Sequence, residues 1–231
     1  MPLLLPQLLI PGQDDHSYVR VASDMAHAHN VIIRGLNSIV QQAPYVPSSS
    51  DQGYNARDVK DLLFYVQSWV KMVNHHHWVE ESFIFPEMEK VSGRPGLMDD
   101  PRHQHELFHP GMERLLGYCS ATTPEEYRWE GGMKDIIDSF SKELTDHLYA
   151  EIDVMLKLND LDSLGVGQAW DKAETIAKQA GNIAMLVSLS GYTHPSPAHI
   201  LGHPSTESEV PQTTDPKLLV RRVPLCPRMR R

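Results

Sequence analysis

Two short motifs constrain this chain more than any other feature. His76 and Glu80 are separated by one helical turn, and so are His147 and Glu151. Each pair falls on the apolar stripe of a long helical segment. Residues spaced three and four apart share a helix face. One stripe therefore reads Leu62, Val66, Trp69, Val73, His76, Glu80, Phe83, and the other Met133, Ile136, Phe140, Leu144, His147, Glu151, Val154, Leu158. A carboxylate without a partner in a core is expensive. A fold that buries two must supply a positive charge.

Two further segments carry histidine on the same kind of stripe. One is Met25, His29, Ile32, Leu36, Ile39, Ala43; the other is His105, Phe108, His109, Met112, Leu115, Cys119. The four segments are expected at about 24–43, 56–90, 102–119 and 125–160. Ser23-Asp24 serves as the first N-cap, and Gly131-Gly132 breaks the first turns of the last segment. A weaker helical stretch follows at about 168–180. No run of alternating β-branched residues bounded by turns marks a strand. The fold class is all-α, an up-down-up-down antiparallel four-helix bundle. His29 and His105 lie near the starts of their helices, and His76/Glu80 and His147/Glu151 toward the ends of theirs. That connectivity places all of them at one end of the bundle.

Imidazole is the commonest metal ligand, and this chain of 231 residues has 13 histidines. The stripes sort them. His75 and His77 sit about 100° to either side of His76 and are expected on solvated flanks. His77 reaches the core only if its helix is rotated or locally widened. His16, His27 and His103 are expected to be exposed, and His194, His199 and His203 lie in the tail. Glu81 and Asp146 are surface acids, with the alternative of orienting an imidazole N–H. The candidate metal ligands are therefore His29, His76, Glu80, His105, His109, His147 and Glu151. Five imidazoles, two bridging carboxylates and one oxo or hydroxo bridge fill about eleven of about twelve positions around two six-coordinate ions, leaving one for a small ligand; without His109 two stay open. Mixed nitrogen and oxygen donors suit two iron ions, with zinc or manganese as alternatives. The two cysteines, Cys119 and Cys226, exclude a thiolate zinc site and a disulfide framework.

At these residues the sequence resembles the hemerythrin-like, or HHE cation-binding, family, in particular its fungal cytosolic members. The elements that carry the likeness are MAHAHNVIIRGLNSIV, HHHWVEESFIFPEME, QHELFHPGMERLL and DHLYAEIDVMLKL, over about residues 20–160. The resemblance implies a four-helix bundle around a non-haem di-iron centre. It implies ligands at His29, His76, Glu80, His105, His147 and Glu151, with His109 matching a further histidine of oxygen-carrying members. Those members usually end on an Asp one residue further from its His. Glu151, four residues after His147, departs from that pattern and leans toward sensing or handling of a ligand over reversible carriage.

The functional expectation is metal binding coupled to binding or sensing of dioxygen or a related small ligand. Electrons would pass from a diferrous pair to the ligand at an open position. No separate acid/base or nucleophile set stands beside the histidines, so dedicated turnover is not expected. Three rivals remain: an oxygen-activating oxidase or oxygenase, a structural zinc or single-metal module, and a bundle that serves as an interaction scaffold.

The formal charge of −9 argues against nucleic acid as a partner, because phosphate binding needs a basic surface. The apolar N-terminus is interrupted by Pro2, Pro6 and Pro11 without a preceding basic region, so residues 1–20 read as a flexible leader. No stretch is apolar enough to span a membrane, and a cytoplasmic location is expected. The domain boundaries are 21–160 for the bundle, 161–188 for a peripheral helix and 189–231 for a disordered tail that ends in basic residues.

Overall fold

A computed structural model of the chain describes residues 16–180. Among the described residues seven α-helices follow one another: α1 Ser17–Gln42, α2 Ala56–Val79, α3 Phe85–Ser92, α4 Asp99–Ala121, α5 Lys134–Asp138, α6 Ser141–Leu156 and α7 Ser163–Ala180. There is no strand among the described residues.

Local chemistry sets the helix ends. Asn55 caps α2 by accepting from the Arg57 N–H at 3.0 Å, the usual N-cap bond. Gly93 ends α3 in the left-handed region at φ 62°, where glycine has no steric penalty. Between α2 and α3 the backbone widens into a π turn over Glu80–Ile84. Pro86 follows two residues after its end. It has no N–H to donate, and its ring needs clearance from the carbonyl four residues back, so the helix loosens just ahead of it.

Side-chain ties set the helix directions. Trp69 Nε1 donates to the Ile32 carbonyl at 3.0 Å, between α1 and α2. Gln67 reaches the Cys119 carbonyl and Asn74 reaches Glu113, so α4 descends as α2 rises. Gln104 meets His147 at 3.1 Å, and Gly111 lies against Phe140 at the start of α6. His29 meets the Leu148 carbonyl, whereas the start of α1 meets Leu161 and Ser163. Each neighbour runs antiparallel, in the ring α1–α2–α4–α6. This is the up-down-up-down bundle the stripes require. Trp69, Phe85, Phe108, Phe140, Tyr127 and Met112 are fully buried between the helices.

Several boundaries differ from the sequence expectation. α1 starts at Ser17, seven residues before Asp24, because the His16 ring accepts from the Tyr18 N–H and caps the helix there. His16 is thus partly buried rather than exposed. Asp24 instead accepts from Trp170 Nε1 at 3.1 Å. The last bundle helix is interrupted twice, at Glu130–Gly132 and again at Ser139–Phe140 between α5 and α6. α7 begins at Ser163, and Val166, Trp170 and Ala173 join the core against α1 and α3. Most of the N-terminal leader and the basic tail with His194, His199 and His203 lie outside the described residues.

Candidate metal centre

His29, Glu80, His147 and Glu151 are completely buried, and His77 and His105 nearly so. They converge with the partly buried His76 at one level of the bundle. Two groups of donor atoms form there. One is His29, His76 and Glu80; the other is His77, Glu80, His105 and His147. Within each group the donors lie within 4.8 Å of one another, and Glu80 belongs to both. Glu151 faces both as well, with Oε2 3.3 Å from His29 Nε2 and 3.7 Å from His147 Nε2.

Hydrogen bonding turns the imidazoles toward the middle. His29 Nδ1 donates to the Leu148 carbonyl at 2.8 Å. His105 Nδ1 donates to the Glu81 carboxylate at 2.6 Å, and His147 Nδ1 to Gln104 Oε1 at 3.1 Å. Each partner accepts, so the Nδ1 proton is held outward and Nε2 is the atom turned inward, where its lone pair can serve a cation. This is the outer-shell arrangement of metal-ligating histidines. His105 and His147 bring their Nε2 atoms to 3.1 Å of each other. Two lone pairs at that distance repel unless a proton or a cation lies between them.

Seven buried side-chain atoms have no hydrogen-bond partner among the described residues: Nε2 of His29, His76 and His77, and both carboxylate oxygens of Glu80 and Glu151. All seven belong to this cluster. His76 Nε2 approaches Glu80 Oε1 to 2.7 Å, yet the pair lacks hydrogen-bond alignment, as two ligands aimed at a common point would. Buried polar groups are nearly always satisfied, and an ion is one of the few explanations for a set left unpaired. The residues present fit a bound metal cation.

Electrostatics are strongly perturbed. Burial opposes a charge on His29, but Glu151 and Glu80 outweigh it and push its pKa up to about 9. Burial holds His77 and His147 well below the usual imidazole range, with neighbouring histidines adding repulsion. Glu80 is held well below the usual carboxylate range: burial raises it, but His76, His29 and His77 prevail. Glu151 is pushed up by burial and by the Glu80 charge. Without a cation, a protonated His29 is the positive charge between two buried carboxylates.

A family model described as the hemerythrin HHE cation binding domain matches residues 20–158. The chain belongs to the hemerythrin HHE family. A fungal relative, dimeric xanthone biosynthesis cluster protein R11 of Cryptosporiopsis sp. (strain 8999), is 36% identical over 181 residues. That match covers 78% of this chain and 66% of the relative, so the chain spans just under two thirds of the relative's length. No solved structure matches. No helix among the described residues is long and apolar enough to cross a membrane.

In this hemerythrin HHE domain the fold gathers six of the seven residues read from the stripes: His29, His76, Glu80, His105, His147 and Glu151. The seventh, His109, is not brought to the cluster. Its side chain is 58% exposed and faces Glu113 at 3.7 Å. The inward line of α4 runs through Pro101, Phe108, Met112, Leu115 and Cys119. At about 100° per residue, His105 lies to one side of that line and His109 a further 40° out.

His77, expected on a solvated flank, lies instead inside the cluster. It is 7% exposed and packs against His105, with ring centroids 4.4 Å apart. A signal for it was present. Val59, Leu63, Val66, Val70 and Val73 form a second apolar line with three- and four-residue steps, and it arrives at His77. Of the surface acids, Glu81 orients His105, whereas Asp146 pairs with Lys142 on the outside. His27 and His103 are exposed as expected.

Proposed function

We propose that the cluster is a two-metal, non-haem iron centre that binds or senses dioxygen or a related small ligand. The observation that carries this reading is Glu80. Its carboxylate is shared by two donor groups, and Glu151 faces both from the other side. Two carboxylates between two sets of imidazoles make a pair of adjacent cation positions. With His77 included and His109 outside, the imidazole count stays at five: His29 and His76 on one side, His77, His105 and His147 on the other.

Mixed nitrogen and oxygen donors suit iron, with manganese and zinc as competitors. Iron would supply reversible one-electron chemistry and an open coordination position. The chain's own contribution is to hold donors and exclude water. Leu148, Glu81 and Gln104 fix the imidazole tautomers. Glu80 and Glu151 balance positive charge without help from solvent. Phe85, Phe108 and Phe140 keep the surroundings dry. Cys119 is buried, and burial pushes its thiol up to about 12, so it is an inert packing group. A reducing compartment such as the cytosol fits that thiol.

The test is anaerobic purification of the chain, iron, manganese and zinc analysis, and the visible spectrum before and after air. About two irons per chain, with new absorption on oxygenation, is the expected result. A zinc-filled or metal-free chain with an intact fold would sink the reading.

A second reading is an oxygen-dependent oxidoreductase that uses the same centre on an organic substrate. The name of the fungal relative, which places that protein in a xanthone biosynthesis cluster, favours it. Dioxygen consumption in step with product formation separates the two.

A further inference from the structure

Beside the cluster, α2 and α4 part at the surface and leave a cleft of about 500 Å³. That volume lies within the range of small-molecule sites. Its floor is His77, His105 and Phe108. These rings lie on one another, with His77 4.4 Å from His105 and 4.9 Å from Phe108 between centroids. The floor of the cleft is therefore also one wall of the metal cluster. Anything seated there lies one ring away from the inner donors.

One wall is Trp78, which is 48% exposed. Its indole is nonetheless held in place, edge-on to Phe83 at 5.4 Å and stacked on His75 at 5.6 Å. A fixed, half-uncovered indole offers flat contact area at little entropic cost. The rim is set by Glu81 and Glu106, with side chains 48% and 77% exposed. No Lys or Arg lines the cleft. Glu81 already accepts from His105 Nδ1 at 2.6 Å, Glu106 lies 3.3 Å from His103 Nδ1, and His109 also lines the cleft; each carboxylate keeps a second oxygen that accepts from a hydroxyl group and repels an anion. The His77 ring on the floor has no hydrogen-bond partner among the described residues, unlike those of His29, His105 and His147.

We propose that this cleft binds a neutral, hydroxylated aromatic molecule of the phenol class, its ring against Trp78 and its hydroxyl on the Glu81–Glu106 rim. The walls come from α2, from the Glu80–Ile84 turn that carries Glu81, and from α4. The cleft opens at the surface and is a ligand site beyond the metal reading, independent of which metal is bound.

The test is calorimetric titration of the full chain, iron-loaded and metal-stripped, with 2-naphthol, naphthalene and 2-naphthoate. Saturable binding of one 2-naphthol per chain is expected in both forms. Naphthalene, which lacks the hydroxyl, and 2-naphthoate, which carries a charge, should each bind about tenfold more weakly or worse. Trp78→Ala should weaken 2-naphthol about tenfold at unchanged helical circular dichroism and metal content. Glu106→Lys, at an exposed position, should reverse the preference toward 2-naphthoate. Absence of saturable 2-naphthol binding, equal affinity for 2-naphthoate, or an unchanged affinity in Trp78→Ala would overturn the proposal. Binding confined to the iron-loaded form would also overturn it, because that result places the ligand on the metal and not in the cleft.

Discussion

His76 and His77 are adjacent in the chain but serve opposite sides of Glu80. Their ring centroids are 5.3 Å apart and their planes meet at 56°. His76 turns toward α1, where its ring meets His29 edge-on at 5.1 Å. His77 turns toward α4 and α6, 4.4 Å from His105 and 5.3 Å from His147. Neighbouring residues of a helix differ by about 100° in direction. A consecutive pair on the inner face therefore joins two separate donor groups, and Glu80, one turn on, belongs to both.

This division predicts two kinds of metal loss. His76→Ala should empty the position shared with His29, and His77→Ala the position shared with His105 and His147, each leaving about one metal per chain. His147→Ala should act like His77→Ala. His75→Ala and His27→Ala should retain the full complement, because neither ring belongs to a donor group. Metal analysis after gel filtration reads the outcome directly. Full metal content in His77→Ala would remove that residue from the centre.

Glu81 tests the outer shell. Its carboxylate holds the Nδ1 proton of His105 at 2.6 Å but is itself half exposed. Glu81→Ala should leave folding intact and lower metal affinity about 10- to 100-fold, the usual cost of removing a partner that orients a ligand. Asp146→Ala removes only an exterior pair with Lys142 and should leave affinity unchanged. Competition titrations against a chelator of known affinity make the comparison.

The metal-free chain should have a stability maximum near pH 6.5, with separate causes for the fall on each side. His29 is raised from 6.5 to about 9 by Glu151 and Glu80 against the opposing effect of burial. Its contribution is complete below about pH 6.5 and lost as pH rises through about 9. His77 and His147 are held below 6.5 by burial, so their neutral state favours the fold and stability falls as pH drops below 6.5. Glu80, held low by its histidines, resists loss until strong acid, whereas Glu151, pushed up by burial and by Glu80, favours the fold while protonated and adds to the loss of stability as pH rises. A bound cation replaces the His29 proton, so metal loading should flatten the alkaline side. Thermal melts at several pH values, with and without metal, check both slopes. An alkaline slope that persists unchanged on loading would place the cation away from His29.

Much of this was legible in the sequence because burial and helical period act together. The stripes through His29, His76, Glu80, His147 and Glu151 are long, and their apolar members leave little freedom in the face they bury. What was missed lies where a single stripe is too narrow. The inner face of α2 is two apolar lines wide, so His77 is as central as Val66 and more central than His76. On α4, a line drawn from His105 instead of from Phe108 and Met112 carries His109 inward, whereas the structure leaves it at the surface. The π turn at Glu80–Ile84 follows from Pro86, whose effect on the preceding turn is a matter of hydrogen-bond register that composition does not show. The cap at His16 was missed because it depends on an imidazole accepting from the backbone, where Ser23-Asp24 offered a more ordinary signal.

Close approach of α4 to α6 makes a final prediction about packing. Gly111 faces Phe140, and a Cβ placed on it would lie 2.5 Å from the Phe140 Cβ and 2.8 Å from the ring. Real Cβ atoms do not approach so closely, so either the helices must separate or Phe140, fully buried, must move. Overpacking of that kind costs about 1–3 kcal/mol. Gly117 is on the same helix with nothing within 4 Å of its would-be Cβ. There, alanine gains helix propensity, about 0.5–1 kcal/mol, without a clash. Gly111→Ala should therefore lower the melting temperature by several degrees, while Gly117→Ala should raise it slightly. Because Phe140 lies two turns from His147 on the same face, Gly111→Ala should also weaken metal retention, which Gly117→Ala should not. Equal melting temperatures for the two variants would show that α4 and α6 are not in contact at Gly111 in solution.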